Sequence, residues 1–226
     1  MRFAPAHLYK LTLIGVLLLA GCASPDTPQS AGQQVSAAEA TLTNFQKDPE
    51  MRWFRDNIKK ARAVIISPKI TRAGFVLGGS GGDALVLARD AKTGAWSGPA
   101  FYNMGTGSFG LQAGVDFSEV VILVMNEKAL DALMSRSMTM GGDASVAAGP
   151  VGVGASAPIA ADMVSFSRSK GVYAGVSLEG AVVSPDNNAN SAYYGQAISP
   201  SDILIRHSVS NPASASLHQA LARSTQ

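Results

Sequence analysis

Three arrangements in this sequence have residue types and spacing that suit chemistry. Gly78-Gly79-Ser80-Gly81-Gly82 has the G-x-S-x-G form of a nucleophile elbow, and Asp202 and His207 follow in the serine–acid–histidine order of a hydrolase. Such an elbow needs a strand, a sharp turn and a helix. Here Ser80 leads into Asp83-Ala84-Leu85-Val86-Leu87-Ala88, which has strand character, so a serine hydrolase stands only as a remote alternative. Gly105-Thr106-Gly107-Ser108-Phe109-Gly110 has the G-x-G-x-x-G form of a dinucleotide loop, but Leu111 to Val115 also has strand character where a helix is required. Tight backbone packing is the simpler account of both glycine motifs. The histidines His7, His207 and His218 and the single Cys22 form no ligand spacing for a metal. The expectation is a protein that is not an enzyme, with no cofactor and no metal.

The third arrangement is at the start of the chain. Arg2 and Lys10 precede the nine-residue apolar run Leu11–Leu19, which is the length of a signal peptide and too short to cross a bilayer. Leu19-Ala20-Gly21-Cys22 matches the bacterial lipobox, whose cysteine becomes the first mature residue and carries acyl chains. Residues 1–21 are therefore expected to be removed, with Cys22 lipidated. Ala23, standing where an aspartate favours inner-membrane retention, points to the outer membrane of a bacterial envelope, facing the periplasm. Residues 22–36 are rich in Ser, Gln, Pro and Ala and read as the lipidated cysteine and a flexible tether. Residues 37–226 then form one domain, a size at which a single core suffices without disulfides.

Composition narrows the partners. The 226 residues are 46% hydrophobic and only 15% charged, with 23 glycines. The net charge of +2 disappears once Arg2 and Lys10 are removed, so the mature chain is neutral and whole-chain charge gives no support to a nucleic-acid partner. One segment departs from that balance. Between Met51 and Arg72 stand Arg52, Arg55, Lys59, Lys60, Arg62, Lys69 and Arg72 against a single acid, Asp56. On a helix Arg52, Arg55, Lys59 and Arg62 fall in a stripe about 80° wide, beside an apolar face of Met51, Phe54, Ile58 and Ala61 with Trp53 on the other flank. That pattern suits an interfacial helix on anionic lipid, and it equally suits an ordinary helix with its charges in water.

The elements that must carry these residues are short helices at the ends and a sheet between. Val35, Ala38, Leu42 and Phe45 predict a helix over 37–46, and Asp48-Pro49-Glu50 restarts a second one. Ala63 to Ser67 predicts a strand that stops before Pro68. Gly74 to Leu77 and Ala84 to Ala88 predict strands on either side of the Gly78–Gly82 run. Asp90-Ala-Lys-Thr-Gly94 predicts a hairpin loop with glycine at the left-handed position. Leu111 to Phe117 and Val120 to Met125 are further strands, Asn126 caps a short helix, and Val172 to Val183 is the longest alternating run. A short helix follows Pro185-Asp186, and another covers Ala213 to Arg223. The fold class expected is α+β: a glycine-rich, strongly curved, mostly antiparallel or barrel-like sheet with short N-terminal and C-terminal helices.

Six separated segments carry a resemblance. Gly74–Asp83, Trp96–Asn103, Gly107–Val115, Val121–Asn126, Gly142–Pro150 and Ser167–Gly180 resemble, in order, the SYLF domain (DUF500) of yeast-type actin-binding proteins, in the manner of bacterial lipoprotein members, over residues 37–195. The resemblance implies binding to anionic phospholipid, phosphoinositides in eukaryotic members, through a basic amphipathic helix. It assigns that role to Arg52, Arg55, Lys59, Lys60 and Arg62, with Lys69 and Arg72 beyond them, and the residue pattern adds Trp53 on the flank of the stripe. The competing expectation is a protein-interaction module of the envelope or of a host surface.

Overall fold

The computed structural model describes residues 27–74, 77–109, 114–154 and 159–225. The expected signal peptide, Cys22 and the first residues of the tether lie outside them. The first described element is helix α1, Pro28–Lys47, which Thr27 caps in a reciprocal box with Ser30. Ala31, Val35, Ala38, Leu42 and Phe45 are all buried on one face of it. The expected tether is thus corrected: from Pro28 it is helix. Its buried positions are occupied partly by alanines, which leave little hydrophobic signal while still letting helices pack closely.

Asp48 ends α1 and caps the 3-10 turn Pro49–Met51, as its proline and following acid imply. Helix α2, Arg52–Ile58, follows. Then come β1 (Ala63–Gly74), β2 (Leu77–Ala88), β3 (Ala100–Phe109) and β4 (Gly114–Val124). After α3 (Glu127–Ala132) come β5 (Met138–Thr139), β6 (Val146–Ala148), β7 (Met163–Ser169), β8 (Val172–Gly175) and β9 (Val182–Pro185). Helices α4 (Asn187–Tyr194) and α5 (Pro200–Leu204), a 3-10 turn at Pro212–Ser214, and α6 (Ala215–Thr225) close the chain. The fold is α+β with a curled, mostly antiparallel sheet, as expected, although α1 is long rather than short.

The sheet runs β5-β9-β3-β2-β1-β4-β7-β6, with β8 also on β7. Among the described strand pairs only β6–β7 is parallel. At its lower half both faces are covered, so the strands there are apolar on both sides. Val64, Ile66, Leu85, Leu87, Val121 and Leu123 face α1, α2, α4 and α6. Ile65, Val86, Tyr102, Ile122 and Val124 face α3, α5 and the Met138–Ala144 region.

Three strand expectations change. β1 runs through Pro68, because the ladder shifts register on both sides there, between Ile66 and Thr71 against β2 and between Ser67 and Ile70 against β4. A bulge is where a strand tolerates a residue without an N–H. The Gly78–Gly82 run is not a turn between strands but part of β2, paired to β1 and β3. The Val172–Val183 run breaks into β8 and β9, which lie far apart in the strand order. Gly180, at φ 79°, reverses the chain between them. The Asp90–Gly94 loop, the Asn126 cap and the helix after Asp186 form where the residues imply.

One buried amide extends the sheet beyond β9. Asn190, fully buried, accepts from the Phe101 backbone N–H at 2.9 Å and donates to the Phe101 and Asp186 carbonyls at 3.1 and 2.8 Å. It completes the edge of β3 where the β3–β9 ladder stops at Tyr102–Pro185. Asn190→Ala would strip the Phe101 N–H of its partner inside the core. The expected loss is about 1–3 kcal/mol in urea unfolding, and an unchanged midpoint would refute that role.

Candidate functional site

The eight residues assigned to lipid do not share a surface. Helix α2 has only seven residues and stops at Ile58, so Lys59, Lys60 and Arg62 follow it rather than ride on it. The expected basic helical stripe is thereby corrected. Trp53 is a core residue, 8% exposed, with its ring 5.9 Å from that of Phe166. Phe54, also buried, meets Phe166 edge-on at 5.6 Å. The apolar face read as a membrane face packs on the sheet.

Most of the cations on this segment have partners. Arg55 donates to the backbone carbonyls of Gln46, Asp48 and Pro49, so it ties up carbonyls at the end of α1 that lack helical partners. Arg62 is largely covered and pairs with Glu127 at 2.6 Å. Arg52 pairs with Asp56 one turn on, at 3.7 Å, and Lys60 donates to Asn57 at 3.1 Å. Lys59, Lys69 and Arg72 are exposed and make no ion pair among the described residues.

β1 separates the two ends of the basic segment. Lys59 and Lys60 precede its first residue, whereas Lys69 and Arg72 lie six to nine residues along it. At about 3.3 Å per residue that puts roughly 20–30 Å between the groups. The upper group has company that the residue pattern did not reveal. Lys69 Nζ sits over the Phe117 ring, 4.6 Å from its centroid. Phe117 and Val115 are 51% and 64% exposed on β4. Lys170 lies at the β7–β8 turn, 4.0 Å from Asp116. Arg168 beside it is committed to Glu119 at 2.8 Å, and Glu119 also accepts from Thr41 of α1 at 2.9 Å. Lys69 and Lys170 are brought together only by the strand order, which periodicity does not contain.

The catalytic-looking motifs are dispersed. Ser80 lies inside β2, opposite Arg72 and Thr106, with no strand-to-helix turn. Asp202 caps α5 with Ser199 and pairs with Arg206, while His207 is exposed at φ 51°. No hydrogen bond joins Ser80, Asp202 and His207 among the described residues. Gly105 to Phe109 belong to β3, and Gly110 lies outside the described residues. No cluster of three metal-binding side chains occurs among the described residues. Burial, then the charge of Asp186, raises Asp83 above the usual carboxylate range. Asp186 itself caps α4 and accepts from Asn103 at 3.2 Å, so it holds the fold.

Comparison with known proteins gives a consistent result. The profile of the family described as "Ysc84: Las17-binding protein actin regulator" matches residues 105–224. The chain is 30% identical over 190 residues to Protein YSC84 of Saccharomyces cerevisiae, covering 78% of this chain and 40% of that protein. It is likewise 30% identical over 190 residues to LAS seventeen-binding protein 3 of that yeast, covering 78% and 41%. It is 32% identical over 152 residues to the human SH3 domain-containing YSC84-like protein 1, covering 65% and 44%. The chain spans less than half the length of these relatives. No solved structure matches.

Proposed function

This chain belongs to the Ysc84 (SYLF) family, and on that premise we propose that it is a membrane-surface protein whose domain binds anionic phospholipid. Cys22 takes the acyl anchor, exposed cations of the domain contact headgroups, and the protein works without catalysis. Its place is a bacterial envelope, at the outer membrane facing the periplasm. The observation that carries this reading is the pair Lys69 and Arg72 on β1, exposed and without an ion pair among the described residues. Each such cation near an anionic surface contributes about 1 kcal/mol, weakened by salt.

A second reading is a protein-interaction module. It is favoured by the relatives named for binding Las17 and by the SH3 domain named in another. One experiment separates the two. The chain from Ala23 onward, which retains every described element, is sedimented with neutral, phosphatidylglycerol, cardiolipin and phosphoinositide vesicles at low and physiological salt. Binding that requires an anionic lipid and weakens with salt is expected. Failure to bind any vesicle at low salt would leave Cys22 as the sole membrane contact and transfer the function to a protein partner.

A further inference from the structure

Among the described residues, the four central strands outrun their cover. Beyond the bulge at Pro68, the face that carries α1 and α2 lower down holds Thr71, Ala73, Gly79, Gly81, Gly105 and Gly107, with Val115 and Phe117 on β4, by the register of the ladders. A Cβ built on Gly79, Gly81 or Gly105 would meet only backbone of the neighbouring strand, and one on Gly107 would meet nothing within 4 Å. No described helix packs there. The result is a smooth sheet surface from which two large apolar side chains stand out.

Beside them is a groove of about 200 Å³, whose lining includes Pro68, Lys69, Phe117, Glu119, Arg168 and Lys170. Its two exposed lysines come from opposite walls. Lys69 projects from the β1 bulge and lies over Phe117. Lys170 occupies the first position of the two-residue turn joining β7 and β8, at φ 50°, with Gly171 at φ 80°. That turn type favours Asn-Gly, and a lysine there is held in a region a long side chain seldom adopts. Arg168, on the floor, is neutralised by Glu119. Asp116 is the acid facing Lys170, at 4.0 Å, and it also accepts from Ser169 Oγ at 3.1 Å. Arg72 stands opposite Asp116 across the β1–β4 ladder without forming an ion pair.

Resting on the reading of the domain as a phospholipid binder, we propose that the membrane-contacting site is this groove together with the exposed Val115 and Phe117 of β4, not the α2 segment. The phosphate of an anionic phospholipid sits between Lys69 and Lys170, and Phe117 and Val115 enter the interfacial layer beside it. Charge and shape both favour a bilayer as the occupant. Cations ring exposed apolar side chains, the arrangement that interfacial segments use, with the lysine stems lying along the apolar part. A protein partner would have to cover a glycine floor that offers almost no side chains to grip.

The test compares two variants of the chain from Ala23 onward with equal loss of charge. One carries Lys69→Gln, Lys170→Gln and Phe117→Ser, and the other carries Lys59→Gln and Lys60→Gln. Partition onto phosphatidylglycerol-containing vesicles is expected to fall about tenfold or more in the first. It should stay nearly unchanged in the second, whose lysines lie farther from the groove than the Debye length of about 10 Å at 0.1 M salt. Circular dichroism and melting check that both variants fold. A second measurement needs no loss of function. The chain from Ala23 contains no cysteine, so Val115→Cys and Lys60→Cys can each carry one environment-sensitive dye. Only the label at 115 should blue-shift on the vesicles. An equal loss in both variants, loss in the Lys59/Lys60 variant alone, or a shift confined to the label at 60 would overturn the groove while leaving phospholipid binding intact. No binding by the unsubstituted chain would overturn both.

Discussion

Phe166→Ala is expected to lower the unfolding free energy by about 3–5 kcal/mol, the usual cost of deleting a buried phenyl ring. The ring is fully buried in β7. It is the surface on which α2 rests, with Phe54 at 5.6 Å and Trp53 at 5.9 Å. Phe54 in turn meets Phe45 of α1 at 6.0 Å, and Phe45 meets Tyr173 of β8 edge-on at 5.0 Å. One side chain therefore joins the sheet to the helical layer through a run of aromatic contacts. The cavity left by alanine cannot collapse readily, because its walls are rings held by strands and by two separate helices. Urea denaturation should show a lower midpoint at an unchanged slope. A loss below about 1 kcal/mol would mean that the ring is not the support described.

Gly149→Ala is expected to cost about 3 kcal/mol, near the top of the range for overpacking a core. A Cβ at this position would lie 2.1 Å from Cε1 and 2.2 Å from Cζ of the same Phe166 ring. The ring cannot swing away, since Trp53 and Phe54 occupy its other side. The backbone is equally confined. Gly149 donates its N–H to the Ser165 carbonyl at 2.8 Å, and a Cβ on Gly175 would lie 2.2 Å from the Gly149 carbonyl oxygen. β6 and β8 thus meet end to end along one side of β7, and glycine at both positions is what lets them meet. Because the alanine methyl and the phenyl ring compete for one space, the two sites should not be additive. The Gly149→Ala, Phe166→Leu double variant should be more stable than the sum of the single losses. Strict additivity in thermal or urea unfolding would rule out the clash.

How far the residue pattern reaches can be seen at particular places. Asn126, Asp186 and the Asp90–Gly94 loop declare themselves, because capping and turn chemistry depend on residues within one turn of each other. Pro68 misleads, since whether a strand survives a proline depends on a bulge that only its neighbours can form. Glycine misleads more. Gly78 to Gly82 has the look of a loop and is the middle of a sheet, where the ladders to β1 and β3 override a poor strand propensity. The basic segment shows the same limit. Its amphipathic spacing correctly marks Phe54 and Ile58 as buried, but periodicity cannot say whether they face a bilayer or the protein's own sheet. The helix also ends at Ile58, before the basic run does, and the continuation as β1 carries Lys69 and Arg72 away from the rest. Nothing local places Lys170 or Phe117 beside Lys69, since that neighbourhood exists only once β1, β4 and β7 are adjacent.

The early start of α1 bears on how the domain would live at a membrane. With Thr27 capping the helix, four residues would stand between an acylated Cys22 and that cap, a span of at most about 18 Å even when fully drawn out. That is shorter than the twelve-residue β1 alone, which at about 3.3 Å per residue runs roughly 40 Å. The protein would not sweep through the compartment in search of targets but would slide with its anchor in a thin layer over one leaflet. Encounters would then be governed by lateral density within that layer rather than by bulk concentration. A target fixed on an opposing surface would have to come to it.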